Sequence, residues 1–151
     1  MGARAYMPER ATHDLDIIID AADAERAGRA LRPAGFRRLG PLPIPWETWA
    51  GPDGLSLDVL FAEEPWMLRG VRAGRERRDP QGLPVVPMEV LVLMKLRASR
   101  IPDLADVTRM LGAADETQLE AVRALAREQM PEMIEDLDAL VRLGMLEYAP
   151  P

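Results

Sequence analysis

The chain has no cysteine and one histidine, His13. Disulfides and thiolate metal sites are therefore excluded, and one imidazole cannot build a zinc site alone. The lack of thiols fits a reducing cytosol, and a cytoplasmic setting is the expectation. No apolar run approaches the roughly 18 residues of a membrane span. The N-terminus lacks the apolar stretch of a secretory signal, so no membrane partner is expected. Positive charge is also in deficit. The net charge of −6 argues against a generally cationic nucleic-acid-binding surface but leaves room for a local basic patch. What remains is 151 residues, 48% of them hydrophobic, enough for one domain with a sizeable core.

Residues 3–8 read as a short helix ending near Pro8. Residues 14–19 are a strand: Asp14-Leu15-Asp16-Ile17-Ile18-Ile19 is short, apolar and β-branched. Ala21–Leu31 reads as an alanine-rich helix stopped by Pro33 and Gly35. Phe36–Leu39 is a short strand, and Gly40 to Pro45 a proline-rich turn. Trp46-Glu47-Thr48-Trp49 alternates bulky and polar residues as a half-buried strand does. Pro52-Asp53-Gly54 is a turn signal that joins it to residues 55–61 as a hairpin.

Residues 63–83 read as the least regular part, with Arg69, Arg72, Arg75, Arg77 and Arg78 among acidic neighbours. After an extended Pro84-Val85-Val86, Pro87 opens a helix at a favoured first position. That helix, to Ala98, is apolar nearly all round and reads as the central buried one. Pro102 begins another, which Gly112 stops. Two amphipathic helices follow, about 116–129 and 131–143, split by Pro131. The stripe Met133, Leu137, Leu140, Val141 reads as core or helix packing. The whole is an α+β pattern in one domain, a sheet-containing half at about 2–86 and a helical half at 87–151.

The chemistry lies in the carboxylates. Residues i and i+2 of a strand share a face, so Asp14 and Asp16 project together. Asp58, inside Leu55-Ser56-Leu57-Asp58-Val59-Leu60-Phe61, joins them if the second strand lies alongside. Three carboxylates on one sheet face repel and resist desolvation. Mg²⁺, a hard cation with a preference for oxygen ligands and substrate phosphates, relieves that cost. The pattern suggests metal-dependent phosphoryl or nucleotidyl transfer. Acidic residues also sit at strand ends simply because water is there, and that plainer account stays open.

The order of these motifs resembles the nucleotidyltransferase superfamily, with its polymerase-β-like fold. Gly2-Ala3 stands at the position of its glycine turn, about a dozen residues before the D-x-D. Arg10-Ala11-Thr12-His13-Asp14-Leu15-Asp16 is similar to the R-x-T-x-D-x-D of the bacterial AbiEii-like, minimal nucleotidyltransferase group. Asp58 matches the third carboxylate. Lys95-Leu96-Arg97-Ala98, then Arg100, Asp103 and Asp106, resembles that group's K-L-x-A helix and its sequel. The resemblance covers roughly residues 2–111. It departs from the pattern in two ways: Ala3 replaces a common serine, and the expected first strand before the turn is absent.

What the resemblance implies is a small mixed sheet of nucleotidyltransferase type, packed by helices, with a helical C-terminal part. It implies Mg²⁺-dependent transfer of a nucleoside monophosphate from an NTP to an RNA end or protein hydroxyl. The metal ligands would be Asp14, Asp16 and Asp58. The nucleotide would meet Gly2, Ala3, Arg10, Thr12 and Lys95, the alternative for Arg10 and Thr12 being to brace the turn. The implied partners are a nucleoside triphosphate, tRNA or another RNA, and an antitoxin protein in a toxin–antitoxin pair; a homodimer is also allowed. For Lys95 the alternatives are a reach to triphosphate or carboxylates, snorkelling, or a salt bridge to Asp103 or Asp106. Asp106 orients a cation or decorates a helix. The arginine run binds RNA or is a solvated face, and Trp46, Trp49 and Trp66 read as core. The second hypothesis is a catalytically silent member acting as a binding or assembly module, whose exposed edge strand pairs with another chain.

Overall fold

The two apolar runs form the strands expected of them. In a computed structural model, which describes residues 5–6, 14–41, 46–79 and 81–148, β1 (Asp14–Asp20) lies parallel to β4 (Ser56–Ala62). The register runs from Asp14 opposite Ser56 to Asp20 opposite Ala62. β3 (Trp46–Ala50) is antiparallel to β4, and β2 (Arg37–Pro41) antiparallel to β3. The sheet is therefore mixed, in the order β1-β4-β3-β2. The β3–β4 hairpin turns through Asp53 and Gly54, both with positive φ, which aspartate tolerates and glycine favours.

One face of this sheet is the core. Trp49, Leu57 and Val59 are buried, with Leu15, Ile17, Ile19, Leu31, Phe36 and Phe61 packed against them. Leu31 belongs to α1 (Ala24–Leu31), which follows a 3-10 turn over Ala21–Asp23. The Asp20 carboxylate accepts from the Ala22 N–H and caps that turn.

The stretch expected to be irregular contains a helix, α2 (Pro65–Gly74). Pro65 opens it, and Trp66, Gly70 and Gly74 form its buried stripe. Two of those three are glycines, weak helix formers, while Arg69 and Arg72 occupy exposed positions. The inward pattern is made of small residues, which hides it from a search for apolar periodicity. α2 packs on β1 and β4.

Residues 14–75 make one compact unit; residues 5–6 and 76–148 belong to the other. The second unit is largely helical. α3 (Met88–Ala98) buries Met88, Val90, Val92, Leu93 and Leu96, as its all-round apolar character requires. Pro87 sits just before it as the cap residue, one position earlier than expected. α4 (Ile101–Gly112) and α5 (Glu116–Gln129) pack on α3. α5 starts with a reciprocal Asp115–Gln118 capping box. α6 (Ile134–Tyr148) packs on α4 and follows a 3-10 turn over Pro131–Met133. Its Leu137 and Val141 are buried.

Gly112 ends α4, but a second demand falls on it. α4 and α6 touch backbone to backbone. A Cβ on Gly112 would lie 2.4 Å from the Gly144 carbonyl oxygen, and one on Gly144 would lie 2.2 Å from that of Thr108. Within the same unit the Tyr6 hydroxyl donates to the Val86 carbonyl at 2.8 Å. Burial pushes that phenol up, with Arg77 opposing and Glu89 assisting. Most of the helix expected at residues 3–8 lies outside the described residues. Among the described residues no helix is long and apolar enough to cross a membrane.

Candidate catalytic site

Strand alternation sends Leu57 and Val59 into the core, so Asp58 faces the other side of the sheet. Its register partners are Asp16 on β1 and Thr48 on β3. Thr48, Asp58 and Asp16 thus form one rung across three adjacent strands, which are spaced about 4.8 Å apart. The Thr48 hydroxyl donates to Asp58 Oδ1 at 2.7 Å. Asp16 is exposed; Asp58 and Thr48 are half-buried. Asp14 occupies the next position of the same face, opposite Ser56, and its backbone alone is described.

Thr48 was not singled out as a site residue by sequence reasoning. The signal was present: a hairpin turning at Asp53 pairs Ala50 with Ser56, and therefore Thr48 with Asp58. The pairing of Asp16 with Asp58 had no such local signal, because parallel strands are joined by a long crossover.

The donors of this rung are two carboxylates and a hydroxyl, all hard oxygen. That set suits Mg²⁺ and does not suit a soft thiophilic metal. Among the described residues no group of three or more His, Asp or Glu side chains is placed to hold a metal; the expected third ligand is Asp14, whose side chain lies outside the description. Gly2, Ala3, Arg10 and Thr12, the expected phosphate contacts, also lie outside the described residues.

Lys95 sits in the helical unit, and its ammonium has two carboxylate partners there. It donates to Asp103 Oδ1 at 3.0 Å and Asp106 Oδ2 at 2.9 Å. Asp103 also accepts from the Arg100 guanidinium. Burial pushes the Asp103 carboxyl up. The hydrogen bonds and charges of Arg100 and Lys95 outweigh burial and hold it below its ordinary value. This is the salt bridge that the sequence left open as one of three roles for Lys95. Of the arginine run, Arg69 and Arg72 lie on α2, with Arg75, Arg77 and Arg78 beyond it; all five are exposed. Trp49 and Trp66 are 2% exposed and are core residues. The chain matches no protein-family model and no curated protein.

Proposed function

We propose that the chain is a Mg²⁺-dependent nucleotidyltransferase, moving a nucleoside monophosphate from an NTP to the hydroxyl of an RNA end or a protein. The observation that carries the reading is the in-register Asp16–Asp58 pair with Thr48 hydrogen-bonded to it. Asp14, Asp16 and Asp58 would hold Mg²⁺, which would supply charge neutralisation for phosphoryl transfer when bound. Thr48 donates to Asp58 Oδ1 and orients the carboxylate, which takes the proton of the attacking hydroxyl. That oxygen forms a bond to the α-phosphorus, the bond to the β-phosphate breaks, and pyrophosphate leaves. The ion network around Lys95 supports a structural role for that residue. A toxin of a toxin–antitoxin pair is the setting this reading favours.

Calorimetric titration of each NTP with Mg²⁺, into the wild type, Asp14→Asn and Asp16→Asn, tests it. Heat that requires both the metal and each carboxylate supports the enzyme. No binding to the wild type sinks the enzyme reading and leaves the silent binding module.

A further inference from the structure

The opposite face of the sheet carries a second feature, independent of the carboxylate rung. A cleft of about 340 Å³ opens between α1 and strands β2 and β3, within the range of small-ligand sites. Its floor is Trp49 and Gly28. Gly28 is the unexplained residue. It lies inside α1, where glycine costs about 1 kcal/mol relative to alanine and normally answers a packing or functional need. No packing need exists. A Cβ there would meet Arg32 Nη2 and Trp49 Cη2 at 3.7 Å, ordinary contact. Alanine would fit, and the glycine leaves that part of the cleft wall without a side chain.

The charges around the opening are cationic in excess. Arg29, Arg32 and Arg38 line it against Glu25 and Glu47. Glu47 is fully engaged: Oε1 by Arg38 at 2.6 Å and Oε2 by the Trp49 indole at 3.1 Å. Glu25 pairs only loosely with Arg29, and both are well exposed. Arg32 lies over the Trp49 ring, 5.9 Å from its centre. Among the described residues it has no carboxylate partner. Arg29 in α1 and Arg32 at its C-terminal cap lie with Arg38 around the opening. A phosphate would compete with Glu25 and Glu47 for Arg29 and Arg38. Arg32 is the surplus cation, suited to phosphate oxygens, which guanidinium forks bind in bidentate fashion.

We propose that this cleft binds a phosphate group, carried by a mononucleotide or by an RNA backbone. The test is an NMR titration of the whole chain with inorganic phosphate, AMP and a 5′-phosphorylated oligoribonucleotide, following the Trp49 indole N–H and the arginine Nε–H signals. The expected result is a saturable shift with phosphate that Arg32→Gln weakens at least tenfold. Gly28→Ala should weaken it severalfold without lowering the melting temperature. AMP binding more tightly than the oligonucleotide supports the mononucleotide as ligand; the reverse supports an RNA backbone. No saturable shift with any probe overturns the proposal. So does a shift indifferent to both substitutions, which would mean an adventitious ion only.

Discussion

The same substitution, glycine to alanine, should have opposite signs in two helices of this chain. At Gly144 in α6 the added Cβ would lie 2.2 Å from the Thr108 carbonyl oxygen, with Gly112 N at 2.7 Å and Gly112 Cα at 2.9 Å. These neighbours are backbone atoms of α4, so no side chain can swing away. The closest approach is about 1 Å inside ordinary contact, and α4 must move from α6 by a similar amount. That loosens the packing of Leu111 and Val141, both buried. Overpacking of this kind costs about 1–3 kcal/mol, occasionally more. A backbone-on-backbone clash belongs at the upper end, and alanine's helix propensity returns about 1 kcal/mol. Gly144→Ala should therefore lose about 2 kcal/mol. Gly28→Ala, whose Cβ meets its neighbours at 3.7 Å, should gain about 0.5–1 kcal/mol. Urea unfolding followed by circular dichroism at fixed pH measures both against the wild type. Gly144→Ala as stable as the wild type would refute the close-approach argument, and a destabilised Gly28→Ala would show that its site is closed rather than open.

Three further outcomes follow from the ion network and the rung. The Asp103 carboxyl titrates below its ordinary value of 3.8 when folded, so its contribution is complete above that value and fades as pH falls through the lower folded one. An acid titration of stability should show this loss, and Arg100→Met should diminish it. Lys95→Met removes the cation shared by Asp103 and Asp106. It should cost about 2–3 kcal/mol in urea unfolding, less than for a fully buried pair, because Lys95 is 18% exposed and Arg100 still serves Asp103. Thr48→Val removes the donor to Asp58 at nearly constant volume and should weaken Mn²⁺ binding about tenfold by electron paramagnetic titration. Thr48→Ser should restore it; equal affinity in Thr48→Val would show that the hydroxyl does not position the carboxylate.

The elements legible in the sequence were those whose pattern is strongly local. Ile17-Ile18-Ile19 and Leu57-Asp58-Val59 declare strands because β-branched and apolar residues crowd a short run. Asp53-Gly54 declares the hairpin because its backbone needs left-handed angles. α2 escaped because its buried stripe is one tryptophan and two glycines, leaving arginines to dominate the reading. The Asp16–Asp58 rung was half legible: strand alternation places Asp14 beside Asp16 on one face, but the parallel register that brings Asp58 alongside depends on strand order. Lys95 was legible as an anomaly in an apolar helix. Its pairing with Asp103 and Asp106 depends on how α3 meets α4, which no single helix encodes. Gly112 reads from sequence as a stop; only the crossing with Gly144 reveals the contact it permits.

The rung has a short-range half and a long-range half. Thr48 and Asp58 are ten residues apart, and the hairpin that joins them closes a small loop. Asp16 arrives by a far longer closure, across α1, β2 and β3, and the entropic cost of closure grows with loop length. The two halves therefore differ in the length of chain that must close to form them. A lesion that loosens β1 would leave Asp58 fixed by its threonine and take away only its carboxylate neighbour. The Thr48–Asp58 bond of the hairpin would remain while the Asp16–Asp58 pair proposed to hold the metal was lost.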